Sequence, residues 1–403
     1  METRTSEFKE NKRLRYISFI AFFAILGGLT LVFIFTDLDL VLMGLGYDAG
    51  ATGDDRFFLK DAQPWAFFYE QEGAILGVYI ALAAVFIIYG LYRKDKWVFI
   101  KYGVFMILAA LLGPLIIVNL LFKGYWGRPR PRETVNFGGS APFFHVWYPT
   151  FLEGYTDDNS SFPAGHPSEF IMYFAIFLVF NHPEFLWKYF GKNRDRTIKV
   201  LTVIKYSSLM ASLVGGTLMA IGRAVQFGHW YSDSLWTFGF IYLTCMLLYY
   251  LVFQFPKWEK KIVDGRVGKS SNVRRLGVRL SIIGGFISMT LGLVIPLAYP
   301  NVYPEVADML NNLHGDFDEG TMAIILVTTL QGLLVASGAL SFIGGILVKR
   351  RNKHGLLLAE IGAMILFLNP VTVLGVEKIK MHKTATTSEH SKNSHVTERG
   401  GGE

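Results

Sequence analysis

Gly222-Arg-Ala-Val-Gln-Phe-Gly-His229-Trp-Tyr-Ser-Asp233 places a cation, an imidazole and a carboxylate within twelve residues, at the point where an apolar run ends. His229 and Asp233 are four apart. On a helix that spacing puts them on one face, where the carboxylate can hold one ring nitrogen while the other points outward. The chemistry expected of such a pair is nucleophilic or general-base. Arg223, six positions earlier, offers a fork of donors suited to an oxyanion or a phosphate.

Two further clusters share this character. Lys123-Gly-Tyr-Trp-Gly-Arg128-Pro-Arg130-Pro131-Arg132 holds four cations in ten residues directly after an apolar run, with prolines that stiffen the loop. A snorkelling basic collar is the bland reading of it, and an anion site the sharper one. Ser161-Phe-Pro163-Ala164-Gly165-His166-Pro-Ser168 opens the next apolar run. Its glycine admits a ligand close to the backbone, and the unpaired amides of a helix start favour an anion. His166 beside them is a possible proton donor to a leaving oxygen, although a lone interfacial histidine is more often a passive hydrogen-bonding residue.

The elements that must position these clusters are membrane spans. Of the 403 residues 52% are apolar and 15% aromatic, and the apolar residues come in long blocks. An all-α polytopic membrane protein is expected. The lone cysteine, Cys245, lies inside an apolar block, which excludes a disulfide framework or a cysteine metal site. The net charge of +7 does not point to nucleic acid, because the basic residues sit in short segments between spans, where orientation in a bilayer explains them.

Arg4, Lys9, Lys12, Arg13 and Arg15 keep the N-terminus cytoplasmic by the positive-inside tendency, and the block Tyr16 to Thr36 is long enough to span, with no small-residue cleavage site. The stretch from Asp37 to Glu72 carries eight acids against Arg56 and Lys60, with Trp65-Ala-Phe-Phe-Tyr69 as an interfacial aromatic helix. Spans follow at about 73–92, 97–122, 165–187, 200–221 and 234–255. A basic linker, Lys257 to Arg279, precedes three more at about 280–299, 321–348 and 355–376. Glu305, Asp308, Asp316, Asp318 and Glu319 mark an outer loop, and Lys349-Arg-Arg-Asn-Lys353 an inner one. Glu360 lies near that inner loop and can pair with it, although an intramembrane acid is also a functional candidate. The expected division is a six-span core, 1–255, a three-span module with its linker, 256–376, and an unfolded polar tail, 377–403, on the outer side. This alternation puts Lys123, Arg130, His166, Arg223, His229 and Asp233 at the outer ends of spans three to six.

Lys123, six residues, Arg130-Pro131; Pro163-Ala164-Gly165-His166; Arg223, five residues, His229, three residues, Asp233: in order and spacing this resembles the three-part signature of the type 2 phosphatidic acid phosphatases, over about residues 70 to 255. The resemblance implies that His229 takes the phosphoryl group as a phosphohistidine, that Asp233 orients and polarises it, and that His166 protonates the leaving alcohol. It implies that Lys123, Arg130 and Arg223, with amides around Gly165, neutralise the phosphate oxygens, with no metal or cofactor. The implied partner is a lipid phosphate in the bilayer: a polyprenyl pyrophosphate, a phosphatidate or phosphatidylglycerol phosphate, or a phosphate of lipid A. Lipid-to-lipid phosphotransfer and a lipid transporter with a relic site are the alternatives, and the oligomeric state is open. Two positions depart from the family pattern, Ala164 and Gly222, where serine is usual. Arg128 and Arg132 lack the family spacing and are expected to be secondary.

Overall fold

The computed structural model describes residues 12–70, 72–93, 96–123, 126–148, 150–153, 160–264, 274–286, 288–289, 319–350, 354–365 and 373–381. Among these the chain is helical, and the only strand-like feature is an isolated bridge between Thr134 and Ala141. Among the described residues five helices are long and apolar enough to cross a membrane, Tyr16–Phe35, Gly73–Tyr92, Val98–Lys123, Arg194–Val225 and Tyr231–Val263, and a bent pair makes a sixth if it counts as one span. The protein is therefore an all-α polytopic membrane protein. The chain forms two compact units, Met1–Ala81 with Phe105–Lys260, and Leu82–Val104 with Lys261–Glu403.

The first unit carries the chemistry. Its helices are α1 (Lys12–Phe35), α2 (Leu38–Gly44), α3 (Trp65–Glu70), part of α4 (Glu72–Tyr92), most of α5 (Val98–Ala110, continuing to Lys123), α6 (Pro167–Ile171), α7 (Tyr173–Val179), α8 (Pro183–Phe190), α9 (Arg194–Met210), α10 (Gly216–Val225), α11 (Tyr231–Leu247) and α12 (Phe255–Val263). The last half of α5 is wound as a π-helix around Pro114, which has no amide to give the helical ladder. Asn119 donates through Nδ2 to the Pro114 carbonyl at 2.8 Å, anchoring the widened turn.

The fourth expected span is not one rod. Pro167–Val179 and Pro183–Phe190 meet at 84°, with the break at 180–182. Pro183 starts α8, and His182 before it is pushed out of the helical region to φ −120°, ψ 76°. His182 Nδ1 donates to Glu259 Oε2 at 2.5 Å, fastening the bend to α12.

At the end of the helices where the three clusters emerge, Met43, Phe57, Phe137, Ala224, Phe227 and Trp230 form a buried cluster, with Leu40, Tyr47, Phe143 and Tyr231 packed around it. It joins α2, the loop after α5 and the turn between α10 and α11. Phe227 sits in the left-handed region, φ 54°, which a bulky residue tolerates only when packing over-determines it. Its ring is fully buried.

In the second unit, helices are α13 (274–286), α14 (Glu319–Lys349), α15 (Gly355–Ile365) and α16 (373–381). Residues 290–299 of expected span seven, 366–372 of span nine and the acids 305, 308, 316 and 318 lie outside the described residues. Glu377 does not begin a polar tail: 373–381 is helical, and Val373, Val376, Glu377, Ile379 and Lys380 are buried. The apolar residues at 373, 376 and 379 suffice to bury one face of a short helix. Lys380 donates to the Gly90 carbonyl at 3.3 Å and lies 3.4 Å from Glu360 Oε1. Gly90 is three residues from Arg93, so α16 lies beside the last turn of α4. Glu360 lies against Lys380, not only near the 349–353 loop.

Truncating Phe227 tests the cluster. Phe227→Ala is expected to lower stability by about 3–5 kcal/mol, seen as a fall in the thermal midpoint of the detergent-solubilised protein; an unchanged midpoint contradicts the packing described.

Candidate active site

Three loops close over one another. Arg128 receives the Ser161 amide on its carbonyl at 2.8 Å, and its own amide donates to Ser160 Oγ at 3.0 Å. The Pro129 carbonyl accepts from Ser161 Oγ at 3.2 Å and from Trp230 Nε1 at 2.9 Å. The first, second and third clusters are thus tied through Pro129 although about a hundred positions separate the first from the third.

His229 and Asp233 do not share a helical face. Trp230 between them is extended, φ −78°, ψ 155°, and α11 begins after it. Asp233 instead reaches back from the first turn of α11 to accept the Trp230 amide at 2.8 Å, where the helix dipole favours a carboxylate. Its Oδ2 lies 4.0 Å from His229 Nδ1, beyond a hydrogen bond. The ring is held by another group: Nδ1 donates to the Ser161 carbonyl at 2.6 Å. A carbonyl can only accept, so Nδ1 carries the proton and the lone pair of the neutral ring is on Nε2. Nε2 is buried and has no hydrogen-bond partner among the described residues.

Burial holds the His229 imidazole well below its ordinary pKa of 6.5, and the charges of Arg223, Lys123 and His166 push it in the same direction, against the Ser161 bond. The His166 and His229 rings are 6.4 Å apart between centroids. Arg223 donates through Nη1 to Gln226 Oε1 at 2.6 Å, and its guanidinium crosses the turn over Gly228, where a Cβ would sit 2.9 Å from Nη2. Gly165 has an equally tight neighbour, since a Cβ there would meet Asn119 Oδ1 at 2.9 Å. The Ala164 carbonyl accepts from Thr237 Oγ1 at 2.7 Å, and Ala164 is buried. At Gly222 a Cβ would lie 3.6 Å from the Trp65 carbonyl, an ordinary contact, so the position does not itself require glycine. Arg130 is buried, with its amide donating to Glu133 Oε2 at 2.8 Å.

The residue that sequence reasoning ranked too low is Arg128. Its side chain is 1% exposed and donates through Nε to the Phe144 carbonyl at 3.0 Å, through Nη1 to Ser232 Oγ at 2.9 Å and to Asp233 Oδ1 at 2.5 Å, and through Nη2 to Asp39 Oδ2 at 3.0 Å. Asp39, on α2, also accepts from the Ser232 amide at 3.1 Å and from the Ser232 hydroxyl. One guanidinium therefore bridges two buried carboxylates, and the Arg128 cation also lies 5.2 Å from the Trp230 ring centre. The doubled Arg-Pro of residues 128–131 was the available signal, and the family spacing pointed to the second copy.

Fold and site define the class: an integral membrane phosphatase acting on a lipid, built on helices. Residues 99–257 match the PAP2 superfamily, so this part of the chain is a PAP2 superfamily domain. It is 28% identical over 228 residues to the lipid A 4'-phosphatase of Francisella tularensis subsp. novicida, an alignment covering 55% of this chain and 89% of that protein. The lipid A 4'-phosphatases of Rhizobium etli and Rhizobium leguminosarum are 37% identical over 70 and 68 residues, 17% of this chain in each case and 26% and 28% of theirs. No solved structure matches the chain.

Two outcomes follow. Arg128→Gln leaves Asp39 and Asp233 buried without a cation and is expected to cost about 3–5 kcal/mol, with loss of activity; Arg128→Lys is not expected to restore it, because one ammonium cannot reach all four acceptors. Retention of both stability and activity in either variant contradicts the bridging role. Because burial and positive charge both disfavour the imidazolium, His229 is expected to stay neutral at pH values where a free imidazole has already protonated. Histidine 15N shifts, assigned with His229→Gln, report this, and a ring that protonates near pH 6.5 contradicts it.

Proposed function

We propose that the protein hydrolyses a phosphate monoester of a lipid A-type glycolipid at the extracytoplasmic face of a bacterial membrane, through a phosphohistidine at His229 and without a metal. What supports this most is the buried imidazole of His229, whose Nε2 has no hydrogen-bond partner among the described residues and which feels the charges of Arg223 and Lys123. His229 Nε2 attacks phosphorus, the N–P bond forms and the bond to the sugar oxygen breaks. His166, as imidazolium, gives its proton to that oxygen. Water then attacks the phosphohistidine, His166 takes a proton from it, and phosphate leaves with Nε2 free again.

Lys123, Arg130 and Arg223 carry the charge that builds on the phosphoryl oxygens, the task a divalent ion performs in other phosphoryl-transfer sites. In this reading Asp233 acts through its field and through the cap of α11, while the Ser161 carbonyl sets the tautomer. The lipid A substrate is inferred from the relatives, since the three clusters read a phosphate and not the body that carries it. The outer-face placement rests on the basic N-terminus and the alternation of the loops.

Purified protein in detergent with EDTA is expected to release phosphate from a lipid A 4'-phosphate, and His229→Gln to release none; turnover in that variant, or dependence of the wild type on a divalent ion, overturns the reading. Ala164→Ser restores the hydroxyl usual in the family and is expected to hold or raise kcat, since one added donor to a phosphoryl oxygen can be worth up to about 100- to 1,000-fold. A large fall shows that the pocket is shaped differently around Ala164.

A further inference from the structure

The α3 helix lies upstream of the family-matched residues, and its aromatic run would serve as a membrane collar without touching the site. One of its rings does more. The Tyr69 ring stacks on the His166 imidazole, with centroids 5.4 Å apart and planes 29° from parallel. The Arg223 guanidinium lies 4.6 Å from the centre of the same ring. Its neighbours in α3 fix its place: Trp65 packs against α10 at Gly222, and Phe68 meets Phe170 of α6 edge-on, with ring centres 6.0 Å apart. Tyr69 itself is 42% exposed, so its ring is not filling a core.

We propose that Tyr69 is a positioning residue for phosphate transfer, whose ring fixes the Arg223 guanidinium and the His166 imidazole relative to one another. The inference rests on the proposed function of this site and adds a residue to it. The physical reason is that both groups change charge environment during the reaction: Arg223 meets the phosphoryl oxygens, and His166 passes between imidazolium and imidazole. A π face is attractive to both cations and needs no proton of its own, so it holds them through the cycle without competing for the phosphate. The hydroxyl is not required for this, and the ring is.

The test uses full-length protein in detergent, with phosphate release from a lipid A 4'-phosphate and inhibition by orthovanadate, a soluble phosphate analogue that does not sense the lipid body. Tyr69→Ala is expected to lower kcat and weaken vanadate inhibition, each by about tenfold, and Tyr69→Phe to recover both. If Tyr69→Ala lowers the thermal midpoint, Tyr69→Leu, which keeps apolar volume and lacks a π face, carries the same expectation. A raised KM for the lipid with kcat and vanadate inhibition intact makes Tyr69 a collar residue and overturns the proposal, as do unchanged kinetics or failure of Tyr69→Phe to recover them. His229→Gln in the same assay separates the two levels: turnover there refutes the underlying site, whatever Tyr69 does.

Discussion

A neutral imidazole held among cations is the constraint on which the rest of the site depends. An imidazolium at residue 229 would have no lone pair for phosphorus, and burial together with Arg223, Lys123 and His166 makes that form unfavourable. Arg223 and Lys123, which depress the ring's basicity, are also among the cations proposed to receive the phosphate oxygens, so these two charges serve both the resting state and the transition state. The Ser161 carbonyl completes the arrangement by taking the Nδ1 proton, and it does so from a loop whose position is set by Arg128 and Pro129.

Arg128 shows how a site rich in positive charge is kept together. A buried guanidinium cannot shed its proton, so it must be paired, and Asp39 and Asp233 pair it from two separate elements. Asp233 is thereby occupied on both oxygens, by Trp230 and Arg128, which accounts for its distance from His229. Asp39 and Tyr69 both come from the stretch between the first two spans. That stretch therefore packs into the same unit as the proposed site.

Much of this was legible beforehand, because apolar blocks of about 20 residues define spans and the three clusters each sit where such a block ends. What was not legible depends on residues with no local signature. Asp39 and Arg128 are 89 positions apart, and nothing near either identifies the other. The i, i+4 spacing of His229 and Asp233 suggested a helix, but helix α11 starts only at Tyr231, and the side chain of Asp233 is needed to cap it. The fourth span was read as one rod because hydropathy runs through it, whereas the chain bends before Pro183. In the second unit, Glu377 and Lys380 looked like the start of a polar tail because their charges mask the apolar face at 373, 376 and 379, and the partners of Lys380 lie on other helices.

The account turns on phosphorus becoming bonded to a nitrogen of one named residue. Rapid quench of the enzyme with a 32P-labelled lipid phosphate, followed by peptide mapping, tests this most directly. The account predicts label on His229 that survives alkali and is lost in acid, as a phosphoramidate should be. Label on any other residue, or full turnover with no labelled protein at any quench time, contradicts it.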